Sequence, residues 1–311
     1  MRERKHTMQA KPWFKRSAIA AALVCVASIS GMSSAVAQSG ATLDKIKSSG
    51  TITLGYRESS FGFSYLDSNL KPVGYSMDIC YQILEAVKAS LKLDVLKVNY
   101  QAVTSANRIP LVQNGTVDLE CGSTTNLVER QKLVAFSPDI FRYNVRMLVK
   151  KDAGIKSITD LQGKAVATTT GTTSFRLLRQ ADKASNLEIT NVPGKDHTDS
   201  FLLVQGGKAQ AFVLDDILLA GQIANARDPQ NYEIVGESLR TENQALMFRN
   251  DDPAFKKLVD DTVGGMMKSG AMEKLYNRWF MAPIAPKGIN INYPLNAETR
   301  EAFANPSSKG I

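Results

Sequence analysis

Residues Val103 to Pro138 read VTSANRIPLVQNGTVDLECGSTTNLVERQKLVAFSP and contain the signals that decide the fold. Ser105-Ala-Asn-Arg108 predicts a helix start, and Val117-Asp-Leu-Glu-Cys121 predicts a short buried strand. The strand leads through Gly122-Ser-Thr-Thr125 into a second predicted helix at Asn126-Leu-Val-Glu-Arg130. Because open α/β sheets bind ligands where a strand end leads into a helix start, this segment is a candidate ligand site.

The chemistry of the same stretch favours an anion as the ligand. Asn126 and Glu129 fit a capping box, which is a signature of a helix start. Free backbone N–H groups at helix starts, neighbouring hydroxyls and the guanidinium of Arg130 can together bind a carboxylate. We therefore predict that Val103 to Pro138 forms half of a carboxylate-binding cleft.

The N-terminal segment has the three parts of a secretory signal. Residues 1–16 are basic, residues 17–30 read SAIAAALVCVASIS, and Ala35-Val-Ala37 before Gln38 is an A-x-A cleavage site. The apolar run of about 14 residues is shorter than the roughly 20 that span a bilayer, which disfavours a membrane anchor. Cys25 lacks the preceding small residue of a lipoprotein cleavage site. We predict cleavage near Ala37-Gln38 and a soluble protein located in the periplasm.

Length and composition allow a full core, and the charge argues against nucleic acid as a partner. With 311 residues, 43% of them hydrophobic, the chain can form two lobes. The sequence has 38 Lys and Arg against 30 Asp and Glu, but residues 1–37 hold six of these basic residues and one acid. The remainder has 32 against 29, a net charge of +3. The apparent basicity thus lies mostly in the targeting segment, and the overall charge does not indicate nucleic-acid binding.

Cysteine and histidine are rare after the signal segment. Cys80 and Cys121 remain, and an exported chain could oxidise them to a disulfide or keep them as two buried thiols. His197 is the single histidine beyond His6, which argues against a histidine-based metal site. We expect neither a metal nor a cofactor.

Strands and helices alternate in the first part of the predicted fold. A short helix over Thr42–Ser49 opens it, and a small hairpin is predicted between Phe61 and Tyr75. Strands are predicted at Thr51–Gly55, Leu93–Val98 and Val117–Cys121, with helices at Ile79–Leu91 and Ser105–Gly115. This β-α-β-α-β order is typical of a parallel sheet with helices on its faces.

The same order recurs after a predicted crossing strand at Phe141–Val149. Strands are predicted at Lys164–Thr168, Leu187–Val192 and Ala209–Leu214, with helices at Phe175–Ala181, His197–Gln205 and Ile217–Ala224. Two further strand-like runs, Tyr232–Val235 and Gln244–Phe248, lie where the chain must return, and helices follow at Pro253–Lys268, Met272–Trp279 and Ala297–Ala304. We therefore predict an α/β fold of two lobes joined by two crossover strands, with lobe 1 at 42–145 and 240–311 and lobe 2 at 146–239.

Six polar residues fall near strand ends or helix starts and should converge on one sheet edge: Arg57, Ser105, Arg108, Ser123, Thr125 and Arg130. Each arginine taken alone could equally be a solvated surface residue or cover a helix face. In the second lobe, Asp215 ends a buried strand and could cap the next helix or pair with a ligand ammonium. His197 begins a helix and could cap it, be solvated or bind a carboxylate.

Enzymatic motifs are weak in this sequence. No G-x-S-x-G surrounds a serine, and Gln205-Gly-Gly-Lys208 lacks both the earlier glycine and the following Ser or Thr of a P-loop. No pair of acids is placed as general acid and base. A binding protein is the better prediction.

From Thr42 to about Ala304 the chain resembles the polar amino-acid family of periplasmic solute-binding proteins, the receptors of ABC importers. Within that family the resemblance is to members that bind acidic amino acids. The motifs that carry it are long: Gly55-Tyr-Arg-Glu-Ser-Ser60, Thr104-Ser-Ala-Asn-Arg-Ile-Pro110, Glu120-Cys-Gly-Ser-Thr-Thr-Asn126, Val128-Glu-Arg-Gln131, Thr170-Gly-Thr-Thr-Ser174 and Lys195-Asp-His-Thr-Asp-Ser200. The resemblance implies two mainly parallel lobes that close on the ligand about a hinge of two crossover strands.

The resemblance also implies a role for each polar residue. Arg130 would hold the α-carboxylate of L-glutamate or L-aspartate, helped by hydroxyls and amides around Ser123, Thr125 and Thr173. Asp215 would take the α-ammonium. Thr170 stands where relatives often have serine and should keep the hydroxyl. The side-chain carboxylate would be bound by Arg57, Ser105, Arg108 and His197.

Two other functions remain open from the sequence. A secreted enzyme similar to cyclohexadienyl dehydratases would need an acid placed to donate a proton, whereas this cleft is predicted to be rich in arginine. A binding protein for another dicarboxylate or polar amino acid would keep the fold. We expect a monomer that delivers its ligand to an inner-membrane ABC permease.

Overall fold

A computed structural model describes residues 41–311, so the predicted signal segment lies outside the described residues. One mixed sheet runs through this part of the chain, and a small three-stranded sheet lies beside it. We use lobe 1 for the half of the large sheet that contains Thr51–Tyr56, and lobe 2 for the half that contains Ala165–Thr169. No helix in residues 41–311 is long and apolar enough to cross a membrane.

Lobe 1 is built on three parallel strands, β1 (Thr51–Tyr56), β5 (Lys97–Ala102) and β6 (Leu119–Thr125). The small sheet that follows β1 consists of β2 (Ser59–Ser60), β3 (Ser64–Leu66) and β4 (Pro72–Val73), which confirms the predicted hairpin. Four helices accompany these strands: α1 (Ala41–Ser49), α2 (Tyr75–Leu91), α3 (Arg108–Gln113) and α4 (Val128–Gln131).

Lobe 2 repeats this layout with β9 (Ala165–Thr169), β10 (Thr190–Gly194) and β11 (Ala211–Asp215), again in parallel. Its helices are α5 (Thr173–Ser185), α6 (His197–Gln205) and α7 (Asp216–Asn225), and 3-10 turns cover Lys151–Ala153, Ile158–Leu161 and Pro229–Asn231. Each helix of this lobe begins within a few residues of a strand end, which places the helix starts at one edge of the sheet.

Two long strands join the lobes. β8 (Phe141–Lys150) pairs antiparallel with β11 in lobe 2 and with β13 (Thr241–Phe248), which in turn pairs antiparallel with β6 in lobe 1. Two short strands, β7 (Ala135–Phe136) and β12 (Tyr232–Val235), flank them. The strand order β10-β9-β11-β8-β13-β6-β1-β5 therefore has the two crossover strands at its centre. The residue boundaries given above for the lobes stay a prediction.

Three helices complete lobe 1 from the C-terminal part of the chain: α8 (Pro253–Lys268), α9 (Ala271–Phe280) and α10 (Ala297–Ala304). An aromatic cluster joins α9 to the start of β8, where the rings of Phe141 and Tyr276 stack with centroids 5.4 Å apart. Phe280 and Tyr75 pack against the same group and are buried. This cluster fixes one end of a crossover strand to the body of lobe 1.

Three predictions in the opening stretch were wrong in detail. The segment Gly122–Thr125 is not a loop but the second half of β6, because β13 pairs with it across residues 244 and 245. The first helix starts at Arg108 rather than at Ser105. The capping box also fails, because α4 starts one residue later, with Leu127 at its N-cap. The Asn126 amide instead donates to Asp139 and to the Ser308 carbonyl.

Strand β5 was also misplaced, since it covers Lys97–Ala102 and not Leu93–Val98. Its side chains are largely exposed or half-buried, so it lacks the apolar run that marks an interior strand. The predicted bounds of α6, α8, α10 and β12 coincide with the observed ones. The sequence pattern thus predicted the wrong bounds for elements that are short, polar or at the edge of the sheet.

Cys80 and Cys121 form a disulfide, which resolves the alternative that the sequence left open. The bond joins α2 to β6 with both cysteines fully buried. Since β6 also carries Ser123 and Thr125, the disulfide fixes a strand that leads into the predicted site.

Replacing both cysteines in a Cys80→Ala/Cys121→Ala variant should lower the free energy of unfolding. The sequence separation of 41 residues corresponds to about 4 kcal/mol in a chain-entropy treatment of the unfolded state. Thermal and denaturant unfolding with and without reductant measure this. Reductant should destabilise the wild type and leave the double variant unchanged. An equal midpoint for oxidised wild type and variant would contradict the prediction.

Candidate functional site

Nine of the ten predicted site residues are buried between the two lobes, and their backbone positions explain why. Arg57 directly follows β1, and Asp215 ends β11. The others lie in β6 or at helix starts, which are the edges that the sheet topology brings together. The buried set comprises Arg57, Ser105, Arg108, Ser123, Thr125, Arg130, Thr173, His197 and Asp215.

Thr170 is the exception. Its side chain is exposed, and its hydroxyl donates to the Gly194 carbonyl at 3.1 Å. The neighbouring Thr169 is buried instead and contacts His197. The expected hydroxyl is therefore present at Thr170 but does not join the buried group.

Arg57 of lobe 1 is completely buried and contacts lobe 2. Its Nη2 group donates to the Asp196 carboxylate and lies 3.4 Å from Nε2 of His197. The Nε and Nη1 groups of Arg57 have no hydrogen-bond partner. Gly122 makes room for this side chain, because a Cβ atom there would lie 2.9 Å from Cγ of Arg57. Two donor groups of this guanidinium thus lack a partner and could donate to an anion.

His197 is held as a neutral imidazole. Its Nδ1 lies 3.0 Å from the Thr169 hydroxyl, which in turn lies 2.9 Å from that of Ser200. Burial lowers the pKa of His197 to about 3, with Arg57 contributing in the same direction and the Asp196 charge opposing both. A neutral ring beside Arg57 can donate or accept one hydrogen bond without adding charge.

Arg108 begins α3, and its guanidinium lies deep in the cleft. Val112 of the same helix packs into a small core with Ala245 and Met247, which holds the helix against β13. Nη1 of Arg108 donates to the Ser123 carbonyl at 3.2 Å, and Nε has no partner. Burial lowers the pKa of Arg108 to about 9, although the charge of Glu120 opposes the shift. The nearby hydroxyl of Ser105 is also buried without a partner.

Arg130 lies in the four-residue helix α4. Its Nη1 donates to the Thr125 carbonyl at 2.9 Å, and its Nη2 donates to the Gly171 carbonyl of lobe 2 at 3.4 Å. Burial lowers the pKa of the guanidinium. The C-terminal segment holds the start of this helix, because the Ile311 carbonyl accepts from Val128 N–H at 3.1 Å.

Asp215 is the buried acid at the end of β11 in lobe 2. Burial raises the pKa of its carboxyl well above the usual value, and the charges of Glu242 and Asp216 raise it further. The Arg108 charge opposes this shift. A cation close to Asp215 would restore the ionised form, because an opposite charge favours it.

Two buried acids in this region, Glu120 and Glu242, were not predicted from the sequence. Both are fully buried, one in β6 and one in β13. Glu120 accepts from the Thr124 hydroxyl at 2.6 Å through one oxygen, while the other oxygen has no partner. Glu120 could have been noticed in the sequence, because it is an acid within a strand whose other residues are buried. No such signal marked Glu242, because the predicted strand began only at Gln244.

Further contacts close the cleft between the lobes. Arg176 of α5 pairs with Glu129 at the surface, and the Gln222 amide donates to the Ser59 carbonyl at 3.1 Å. Gly171, with a φ of +82°, lies so near lobe 1 that a Cβ atom would be 2.6 Å from Cα of Ala106. The charges of Arg57 and Arg130 act on Arg108, and that of Arg108 acts on Asp215, so the four buried groups lie close to one another. Such a group of charges suits a ligand with carboxylate groups and an ammonium.

Comparison with known proteins places this geometry in a family. The family described as bacterial extracellular solute-binding proteins, family 3, matches residues 52–282. The glutamate/aspartate import solute-binding protein of Escherichia coli strain K12 is 47% identical over 290 residues, 93% of this chain and 96% of its own length. The L-glutamate/L-aspartate-binding protein of Pseudomonas aeruginosa is 48% identical over 269 residues, 86% and 89% of the two chains. These relatives are binding proteins and not enzymes, as predicted for this chain.

Solved structures show the same fold. The P235GK mutant of ArgBP from T. maritima superposes with a TM-score of 0.68 at 26% identity, covering 76% of this chain and 98% of that one. An ancestral amino acid-binding protein described as a precursor of cyclohexadienyl dehydratase gives a TM-score of 0.66 at 28% identity, covering 76% and 99%. The predicted two-lobed fold of periplasmic binding proteins is therefore confirmed.

The imidazole of His197 should stay neutral from about pH 8 down to about pH 5, where an ordinary histidine is protonated. The unfolded chain binds this proton and the folded chain does not, so the free energy of unfolding falls as the pH drops below the unfolded pKa. NMR of the ring nitrogens measures it, with a His197→Gln variant assigning the signal apart from His6. A midpoint near 6.5 for His197 would contradict the prediction.

Proposed function

The chain belongs to the bacterial extracellular solute-binding proteins of family 3, and we propose that it is the periplasmic receptor of an ABC importer that binds L-glutamate or L-aspartate. The observation that carries the proposal is the set of buried, unpartnered donors on Arg57, Arg108 and Ser105. A buried donor left without a hydrogen-bond partner costs about 1–3 kcal/mol, and more on a charged group, so these donors favour an anion beside them. The 47% and 48% identical relatives named for these two amino acids support the same ligand.

The α-carboxylate is assigned to Arg130. The Thr125 carbonyl of lobe 1 orients its guanidinium independently of closure, and the Gly171 carbonyl of lobe 2 adds a contact when the lobes meet. We assign the hydroxyls of Ser123, Thr125 and Thr173 to the same end of the ligand. A bidentate pair between a guanidinium and a carboxylate combines strength with geometric selectivity.

The side-chain carboxylate is assigned to Arg57 and Arg108, with Ser105 and His197 completing the hydrogen bonds. A neutral amide in this place offers one acceptor oxygen and no charge to the partnerless N–H groups of Arg57 and Arg108, so glutamine and asparagine should bind far more weakly. Glutamate and aspartate differ by one methylene, which typically changes affinity by about 1–3 kcal/mol. Asp215 takes the α-ammonium, whose charge keeps the carboxyl ionised.

Hinge closure provides the signal to the membrane permease. Lobe 1 supplies Arg57, Arg108 and Arg130, so the ligand binds it first. Lobe 2 then adds Thr173, His197 and Asp215, and these additional contacts favour the closed arrangement. The permease recognises that arrangement, and the receptor acts as a monomer that leaves the cytoplasm with its signal segment cleaved.

A thermal-shift screen of amino acids and dicarboxylates tests the proposal. Ligand binding raises stability by RT ln(1 + [L]/Kd), so L-glutamate and L-aspartate should raise the unfolding midpoint most. Prephenate should be neither a stabilising ligand nor turned over. A shift with glutamine larger than that with glutamate would contradict the acidic-ligand assignment.

Two arginine variants should separate the two carboxylate subsites in calorimetric titrations. Arg130→Ala should abolish binding of every amino acid, whereas Arg57→Ala should selectively weaken the acidic ones, by at least about 100-fold since a charged hydrogen-bonded pair is lost. Arg300→Ala is the matched control, because that arginine is 61% exposed on α10. Unchanged glutamate affinity in Arg57→Ala would disprove the side-chain assignment.

Small-angle scattering of the protein with and without saturating glutamate tests closure. The radius of gyration should fall when glutamate is added, because contacts such as the Arg130–Gly171 bond require the lobes to meet. Arg130→Ala should show no such change. An unchanged radius for a wild type that binds glutamate would rule out the closure mechanism.

A further inference from the structure

Glu242 links the two lobes through one carboxylate at the hinge. It lies in the crossover strand β13, opposite Tyr143 of the crossover strand β8, and is fully buried. Its Oε2 accepts hydrogen bonds from Thr173 at 2.7 Å, Thr125 at 3.0 Å and Tyr143 at 3.2 Å. The guanidinium of Arg240 binds its Oε1.

The three hydroxyls come from three different parts of the fold. Thr125 ends β6 in lobe 1, Thr173 begins α5 in lobe 2, and Tyr143 lies in the crossover strand between them. The bond from Thr173 can form only when lobe 2 is in its present position relative to β13. The hydrogen bond between Thr173 and Glu242 therefore depends on the closed arrangement of the lobes.

The hydroxyl protons can be followed one by one. Thr173 has a single hydroxyl proton, and donation to Glu242 uses it. Thr125 lies 2.7 Å from the Tyr143 hydroxyl and 3.0 Å from Glu242, so its proton is used by one of these two acceptors. Toward any further partner, both threonine oxygens are then acceptors only.

From these contacts we propose that Glu242 is a positioning residue for the α-amino-acid end of the ligand. It fixes the hydroxyls of Thr125 and Thr173 as hydrogen-bond acceptors, and its bond to Thr173 stabilises the closed lobes. The α-carboxylate then depends on Arg130, and the two threonine oxygens are suited to donors such as the ammonium. The inference rests on the proposed function, because it assigns a role within that site.

A Glu242→Gln variant tests this proposal in titrations of the full chain with glutamate and with aspartate. An amide has one acceptor oxygen and a donating NH2, so it cannot accept from all three hydroxyls and still bind Arg240. Hydrogen bonds to charged groups are typically worth about 1.5–3 kcal/mol, so binding should weaken by about 10- to 100-fold. The loss should be equal for both ligands, since the contact lies at the end that they share.

Coupling to Thr173 distinguishes positioning from a general structural effect. Thr173→Val should weaken binding, Thr173→Ser should restore it, and Thr173→Val should add little to the loss in Glu242→Gln. Glu233→Gln is the matched control, because this acid pairs with Lys156 on the surface of lobe 2. Additive losses in the double variant, or an unchanged affinity in Glu242→Gln, would overturn the proposal.

The pH dependence of binding gives a second measure. The Glu242 charge raises the pKa of Asp215 together with burial and Asp216, while Arg108 opposes it. Tyr143, on the adjacent strand, stays protonated because its own pKa is raised. Loss of the Glu242 charge should lower the pKa of Asp215, so the fall in glutamate binding at acid pH should move to lower pH. An unmoved acid limb would contradict the proposal.

A failure of the proposed function and a failure of this inference give different results. If the wild type binds neither glutamate nor aspartate, the ligand assignment fails, and the cycle is repeated with the ligand found in the screen. If Glu242→Gln does not fold, Glu242→Asp keeps the charge and withdraws the carboxylate by one methylene. That variant should weaken binding at least tenfold, and full affinity in it would overturn the positioning role.

Discussion

The burial of three guanidinium groups in one compartment is the constraint on which the rest of the structure depends. Arg57, Arg108 and Arg130 are all less than a tenth exposed, and removing such charges from water is costly. Backbone carbonyls satisfy part of their hydrogen-bonding capacity, while the charge of Arg57 is compensated across the cleft by Asp196. Glu120 and Glu242 lie in the neighbouring strands as further buried negative charge. The remaining donors are available to an anion that enters the cleft.

The fold holds these charges in place by anchoring β6 from several sides. β1 and β13 pair with this strand, and the disulfide at Cys121 ties it to α2. The C-terminal segment adds a further anchor, because the backbone of Ile311 bonds to that of Asn126 and Val128, where β6 leads into α4. A site that must keep some arginine N–H groups without hydrogen-bond partners needs such support. If the strand relaxed, nearby carbonyls could accept hydrogen bonds from these N–H groups.

The sequence was informative wherever local chemistry is periodic or motif-like. Helices such as Pro253–Lys268 and the strand ends near Arg57 and Asp215 follow from apolar spacing, and the fold follows from their alternation. What lay beyond the sequence was contact between elements far apart in the chain. Asp196 faces Arg57 across 139 residues, and Glu242 gathers hydroxyls from 69 to 117 residues away. Nothing local distinguishes Thr170, which is exposed, from Thr169, which is buried.

The division of the site between the lobes also determines which lobe can discriminate between ligands of different length. Arg57 follows β1, Arg108 begins α3 and Arg130 lies in α4, so all three belong to lobe 1. Strand β6 pairs with β1 and precedes α4, which makes the distance between the two proposed carboxylate subsites a property of lobe 1. In the proposed mechanism, closure therefore does not adjust that distance. Lobe 2 would contribute Asp215 and the neutral imidazole of His197 and so test charge and orientation, whereas lobe 1 would select the spacing of the two carboxylates before the lobes meet.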